Sequence, residues 1–498
     1  MILGWIIFLP LLGGAAAWIA GRRSAGAART LALVAMALDL ALAVAAWSGG
    51  AGASGWFAEF QCPWLPQFGI SVHLGMDGAS APLVVLAAFL GLLAVGVSWR
   101  GIGERVGFFH FNLLWAVAAT QAILLSLDLV LFYVAWEALL VPLYFLIAVW
   151  GGPRRGPAAL KMFIFGQASA VLMLVAFIAL AISHQRAVGS YTFDYLKLLG
   201  TPVAGAAAFW MMLAVFVALA VKLPAVPLHV WLPDAHEQAP ASGGVDIAGL
   251  AVKVGAYGML RLVVPLFPAA ARDFTPVAMT LGVIGILYGA TMAFAQRDLK
   301  RLAAYSSISH MGFILLAVFA FDQTALQGAV LVMVASALSA AGLFFMAGVL
   351  ERRFGTRNIE ALGGLWSAMP RAGAATLIFA LAAMGLPGLA NFAGEFLVLL
   401  GTYREHPVFA VLAALGMIAS VIYAVRLMGV IFHGPRKDER PVKDLSWREG
   451  AIAAALVAAL VWIGIHPGVI TANGKQNFTA AAANNASALH DSNTEGGR

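Results

Sequence analysis

Four ionisable side chains stand deep inside long apolar stretches of this 498-residue chain: Glu137, Lys222, Lys253 and Glu395. Holding a charge at a bilayer centre costs about 2.5–3.5 kcal/mol on insertion scales, so such residues mark ion or proton paths. Carboxyl and amine suit the same task. Burial disfavours the charged form of each and draws both types toward physiological pH, where a proton can be taken up and released. Histidine titrates there already, which adds His229 and His310 as relay candidates. Each has a plainer alternative. A core glutamate can stay protonated and hydrogen-bonded, a lysine can snorkel to the interface, and a histidine at a helix end can be structural.

The elements that position these residues are membrane helices. The chain is 62% hydrophobic and 11% charged, a composition of integral membrane proteins. Its apolar runs have the length of a spanning helix, and only helices or closed barrels satisfy their backbone in lipid. The expected fold is therefore an all-α bundle. A net charge of +7 invites a nucleic-acid reading, but the basic residues are scattered through short loops. The one cysteine, Cys62, cannot hold an iron–sulfur cluster, which takes about four thiolates. No dinucleotide or phosphate-loop fingerprint is present. No cofactor or metal is expected in this chain, so its energy must come from a gradient or a partner.

Fourteen spans are expected, near 2–20, 29–47, 79–99, 111–127, 129–150, 160–183, 205–232, 245–266, 277–296, 303–320, 325–350, 372–402, 407–432 and 449–470. The first lacks a basic leader and reads as a retained helix rather than a signal peptide. With the N-terminus outside, twenty of the thirty Lys and Arg fall in inner loops, six outside and four within spans. That is the positive-inside bias, and it places both termini on the outer side. The inner loop 233–246 is the exception, with Asp234, Glu237 and Asp246 and no basic residue. Arg261 is expected to snorkel outward, and Asp39 to be an isolated, locally solvated acid.

Two spans are long and interrupted, one by Pro224 and Pro227 just after Lys222, the other by Gly385-Leu-Pro387-Gly388 before Glu395. Proline removes a backbone donor and clashes with the preceding turn. Paired interruptions point to inverted repeats with a site between them. Spans 4–8 and 9–13 would be the repeats, each with a broken fourth helix; two ordinary proline kinks are the alternative. The expected organisation is 1–105 for the first three spans, 106–268 and 274–433 for two repeats that each form a proton half-channel, and 434–498 for span 14 and a polar tail. Asn477 and Asn485 in that tail match a weak glycosylation pattern.

At these residues a resemblance emerges. Trp136-Glu137 with Val141-Pro142-Leu-Tyr144, the run from Lys222 through Pro227 and His229 to Asp234-Ala-His236, Lys253-Val-Gly-Ala-Tyr257, Asp298-Leu-Lys-Arg-Leu302, Ser309-His310-Met-Gly-Phe313 and Gly394-Glu395-Phe396 resemble the antiporter-like membrane subunits of respiratory complex I. Among these the chain looks most like the subunit M branch of bacterial NADH:quinone oxidoreductase, the counterpart of mitochondrial subunit 4. Only a short tail follows span 14, so the branch with a long lateral helix is set aside.

The resemblance implies that Glu137 and Lys222 form the charge pair of the first half-channel. Lys253 would link a central hydrophilic axis with His310 near it, and Glu395 would serve the second half-channel. It also implies a bacterial inner membrane and neighbouring antiporter-like subunits as partners. Flavin, iron–sulfur clusters and quinone would be held in other subunits, whose quinone reduction drives protons outward. Ser336 stands where a histidine would be expected. Two other readings share the architecture: a subunit of a multi-subunit sodium/proton antiporter, and the pump module of a hydrogenase or ferredoxin-driven complex.

Overall fold

The computed structural model describes residues 1–50, 55–241, 249, 251–438 and 440–471. Asp246, the start of the expected span 245–266, and the tail with Asn477 and Asn485 lie outside them.

Twelve helices among the described residues are long and apolar enough to cross a membrane. They are α1 (Ile2–Gly21), α2 (Ala25–Gly49), α3 (Ser80–Gly101), α4 (Val106–Leu125), α5 (Leu129–Trp150), α6 (Arg155–Val188), α8 (Gly205–Lys222), α11 (Pro268–Ala295), α12 (Leu299–Val318), α13 (Gln323–Phe354), α16 (Pro407–Ile431) and α17 (Trp447–Ile465). The other two expected spans are made of pieces. Span 372–402 is two helices, α14 (Pro370–Ala383) and α15 (Ala390–Glu405). The described part of span 245–266 holds α10 (Lys253–Gly258), a π-helical turn at Met259–Val263 and a last turn at Val264–Leu266. Short helices α7 (Tyr195–Leu198) and α9 (Leu232–Gln238) complete the sequence up to α17.

Aspartates start several of these helices by accepting orphan amide N–H groups of the first turn. Asp128 accepts from Val130 and Leu131, Asp298 from Lys300 and Arg301, and Asp322 from Ala325. Asp128, the residue left between the expected spans 111–127 and 129–150, is thus a helix cap. Because the helices are apolar on all sides, burial depends on position in the bundle. The whole apolar window of α13 is buried against 22% for α17, so α13 is central and α17 peripheral. α11 and α12 touch backbone to backbone. A Cβ at Gly289 would sit 2.6 Å from Ser309 N, and one at Gly312 2.6 Å from Gly282 O. Small residues permit such approaches in membranes, and this one fixes the height of Ser309 and His310.

One feature was not anticipated. Phe57–Leu65 and Ile70–Met76 form an antiparallel hairpin, β1–β2, in the α2–α3 loop. It clasps two other loops at the same end: Leu127 N–H donates to His73 O (2.8 Å) and Phe193 N–H to Gly69 O (3.2 Å). The opposite end gathers the basic loops, through Arg29 to Ile102 O (2.9 Å), Arg357 to Glu237 O (2.9 Å) and Arg353 to Lys443 O (2.7 Å).

Candidate functional site

The first cluster forms where α8 stops. Lys222 is its last residue, Val226–Pro227 is a cis peptide, and helix resumes only at Leu232. The carbonyl of Val221, freed by the break, accepts from the Trp231 indole at 2.8 Å. Irregular backbone at this depth is tolerated where protein re-satisfies it. Lys222 is buried, and its Nζ lies 4.1 Å from the centre of the Trp136 ring, with no hydrogen bond among the described residues. Glu137, the next residue along α5, is half-buried. It accepts from Gln167 at 3.2 Å and bonds Tyr133, one turn earlier. Glu137 and Lys222 lie within electrostatic reach of each other, yet form no direct ion pair.

The second cluster forms at the other break. α14 ends at Ala383 and α15 begins at Ala390. The freed carbonyls of Ala383 and Met384 accept from the Tyr423 hydroxyl (3.1 Å) and the Ser420 hydroxyl (3.2 Å) of α16. Glu395, buried on α15, lies 2.9 Å through Oε1 from His310 Nδ1 on α12. Gly385 has φ +76, and a Cβ there would meet Glu395 Oε2 at 3.0 Å. Glycine is thus needed twice over, for the left-handed turn and for room beside the carboxylate. Asn391, one turn before Glu395, donates to Ser339 Oγ at 3.4 Å, and Ser339 donates to Ser336 O at 3.3 Å. Ser336 is fully enclosed on α13, in line with this chain of small polar groups.

Between the two lies a polar band. His229 is buried, with its ring edge-on to Tyr288 (5.0 Å) and within 6.3 Å of Tyr305. Lys253 is buried, and His236 lies within electrostatic reach of both Lys253 and Lys300. Lys300 donates to Ala239 O at 2.9 Å and pairs with Glu351 at 3.3 Å. The acidic loop that broke the charge pattern is neutralised by tertiary contact. Lys161 and Arg301 hold Asp234 (2.8 and 3.0 Å), and Arg301 and Arg154 hold Glu237 (2.7 and 3.4 Å).

A profile of the NADH:quinone oxidoreductase/Mrp antiporter transmembrane family matches residues 126–422. The NADH-quinone oxidoreductase subunit M of Escherichia coli (strain K12) is 46% identical over 482 residues, covering 94% of this chain and 95% of that protein. The subunit M of Pseudomonas aeruginosa is 45% identical over 481 residues, 94% of each. The chain belongs to this family. A chain of respiratory complex I from Thermus thermophilus with bound NADH superposes with a TM-score of 0.88 at 32% identity, covering 97% of this chain and 99% of that one. The Mrp complex from Dietzia sp. DQ12-45-1b contains a chain with a TM-score of 0.86 at 20% identity, covering 97% and 96%, a likeness of fold alone.

In this antiporter-family chain several sequence expectations need correction. Arg261 does not snorkel: it pairs with the enclosed Asp77 and stacks on Trp56 at 4.6 Å, because the hairpin end covers it. Asp39 is not solvated; it is fully enclosed and accepts from Gln121 at 2.8 Å, since α4 packs over α2. Glu137 is less deeply enclosed than its apolar flanks suggest, because its side of α5 is only partly covered. His310 takes Glu395 as its partner, a pairing the sequence did not indicate. Trp136, Gly385 and His236 stand in the quoted motifs and the second break, but the sequence alone assigns no role to any of them. Tyr133 was detectable from its four-residue offset to Glu137, which puts both on one helix face.

Proposed function

We propose that this chain is the proton-translocating, antiporter-like M subunit of a bacterial NADH:quinone oxidoreductase, with no redox centre of its own. Quinone reduction in partner subunits that carry the flavin and iron–sulfur clusters drives it. The observation that carries this reading is the gathering of ionisable groups around two helix breaks, Lys222 within electrostatic reach of Glu137 and Glu395 bonded to His310, in a chain 46% identical to a protein named subunit M over nearly its full length. Changing the charge on one member of such a pair changes the field at the other, so the two members of each pair act together. A proton reaching Glu137 releases Lys222 from its counter-charge, and the lysine can then pass a proton inward toward Lys253. At the far end Glu395 holds the proton of His310 Nδ1, leaving Nε2 to accept the incoming one. His229 and Ser336 line the way between, and Pro224, Pro227 and Pro387 keep the breaks open.

The two half-channels correspond to 106–268 and 274–433, flanked by 1–105 and 434–498. Two matching features support an inverted repeat. Asp128 bridges Asp194 and Asp298 bridges Asn358 in the same antiparallel manner, at opposite ends of the bundle. Both breaks close with a five-residue bond, Ala225 N–H to Ala220 O and Leu386 N–H to Leu381 O. The basic end supports an inner-membrane location with both termini periplasmic.

The test is Glu137→Gln in the assembled complex in proteoliposomes. Gln keeps size and hydrogen bonding but cannot ionise, so NADH-driven proton uptake should be largely lost, with Glu137→Asp retaining part. Normal pumping by the Gln variant refutes the role. The fold likeness to the Mrp complex favours one second reading, a sodium/proton antiporter subunit. Affinity purification separates them: flavin and iron–sulfur absorbance travel with an oxidoreductase subunit and not with an antiporter.

A further inference from the structure

The basic end of the bundle holds a cavity of about 840 Å³ between α3, α13, α14 and α17 that proton transfer does not use. Its walls are graded. Val97, Phe345 and Ile452 line the deeper part, and Arg100, Arg352 and Arg448 stand one or two turns nearer the helix ends. Two carboxylates share the outer wall, and both are engaged. Glu449 takes Arg353 at 2.7 Å and Arg352 at 3.1 Å, and closes the cap on Ser446 N–H at 2.9 Å. Asp444 accepts the backbone N–H groups of Arg371 (2.8 Å), Ala372 (3.1 Å) and Leu445 (2.7 Å). That leaves the side chains of Arg100, Arg371, Lys443 and Arg448 without an ion pair among the described residues. Arg448 lies within electrostatic reach of three cations, Arg100, Arg29 and Arg352, and of one carboxylate, Glu449, which Arg352 and Arg353 already engage.

Like charges gathered at a low-dielectric wall repel unless a counter-charge joins them. The counter-charge must be an anion, and the graded wall says which kind. A cationic rim above an apolar floor, at the level where helices end, matches a phosphate group carrying hydrocarbon chains. α17 supplies the open side, since only 22% of its apolar window is buried. Trp447, 82% exposed beside the cavity, has the character of an interfacial anchor.

We infer that this cavity binds the headgroup of an anionic phospholipid in the leaflet at the basic end, with Arg100 and Arg448 gripping the phosphate and Val97 and Ile452 receiving the first part of an acyl chain. The lipid supplies the charge that the walls lack and ties α17 to α3.

The test uses the purified complex. Phospholipid retained through detergent washing is quantified by mass spectrometry for wild type, Arg100→Gln/Arg448→Gln and Arg100→Lys/Arg448→Lys. The glutamine pair should lose anionic lipid with zwitterionic lipid unchanged, and the lysine pair should keep it. Equal retention in all three overturns the proposal, and so does displacement of the lipid by inorganic phosphate. A second measurement needs no variant. Photoactivatable phosphatidylglycerol should label peptides carrying Val97 and Ile452 several-fold more than photoactivatable phosphatidylcholine does. Equal labelling by the two probes, or crosslinking of the cavity to an acidic segment of a neighbouring subunit, overturns it as well.

Discussion

His310 Nδ1 lies 2.9 Å from Glu395 Oε1, with both side chains almost wholly enclosed. An ionised carboxylate only accepts, so with Glu395 ionised the ring hydrogen sits on Nδ1. His310 Nε2 makes no hydrogen bond among the described residues. It is the open end of a two-member relay, and the pair acts as one proton-holding unit.

Replacing either member should therefore cost about as much as replacing both. His310→Ala and Glu395→Gln should each slow proton pumping by about tenfold or more, some 1.4 kcal/mol on the barrier, and the double variant should be little worse. Ser336→His should be tolerated and should partly restore His310→Ala. Proton uptake by reconstituted complexes measures all five variants, and a fully active His310→Ala would remove this histidine from the path.

Trp136 should matter through its ring face. A cation over a desolvated aromatic ring gains about 2 kcal/mol, and Lys222 Nζ sits 4.1 Å from the ring centre. Trp136→Phe keeps a face and should retain most pumping, whereas Trp136→Leu should lose a substantial part. Identical rates for the two would show that only apolar volume is needed there.

Gly385→Ala combines two penalties. A left-handed backbone costs a residue with a Cβ about 1–2 kcal/mol, and the added carbon meets Glu395 Oε2 at 3.0 Å. Thermal unfolding should shift down and pumping should fall. Gly388→Ala also has a positive φ (+93) but meets nothing within 4 Å, so it should lower stability with less effect on pumping. Equal pumping by the two variants would sink the steric argument.

Hairpin docking should depend on pH. His73 contacts Asp194 at 2.9 Å and Glu59 at 3.0 Å. Burial opposes its charge, but the two carboxylates outweigh burial and hold His73 above the usual imidazole value. Burial likewise works against the Asp194 charge, and the bond to His73 with two backbone N–H groups holds its carboxyl below the usual range. The raised histidine contributes fully below its unfolded value near 6.5 and is lost as pH rises through the higher folded value. The lowered aspartate contributes above 3.8 and is lost as pH falls through its folded value. Docking is thus tightest at mildly acidic pH. A nitroxide on the exposed Cys62 of β1, with the chain in nanodiscs, should become more mobile as pH is raised past neutrality. His73→Gln should abolish that response.

Topology follows from the grouping of the loops at two ends. Reporter fusions at Arg154, Arg353 and Lys437 should read cytoplasm, and one at Gln67 periplasm. The opposite pattern would reverse the direction of transport drawn here.

The legible part of this fold is what the bilayer dictates. Apolar runs of spanning length gave the long helices, and prolines after Lys222 and Gly385 marked the breaks. The hairpin was not legible, because Phe57–Leu65 is mostly exposed without strict alternation and carries Pro63. Its register comes from loops that are distant in sequence, through Phe193 and Asp128. Residue types identified Glu395 and His310, but these lie 85 positions apart, and only the close packing of α11 on α12 brings the histidine to the right height. Arg261 shows the same limit, since Asp77 reaches it from another part of the chain.

The complete enclosure of the apolar window of α13 bears on how the chain is made. This helix is hydrophobic enough to partition into lipid alone, yet every residue of its apolar window ends in contact with protein. Its final neighbours include α14, α15 and α17, which leave the ribosome after it. During synthesis α13 must therefore sit for a time at the rim of an unfinished bundle, facing acyl chains or an insertase, before the later helices close over it. Slow or failed emergence of those helices would strand Ser336 and Ser339 against lipid. Quality control of a nascent chain has such exposed hydroxyls to read.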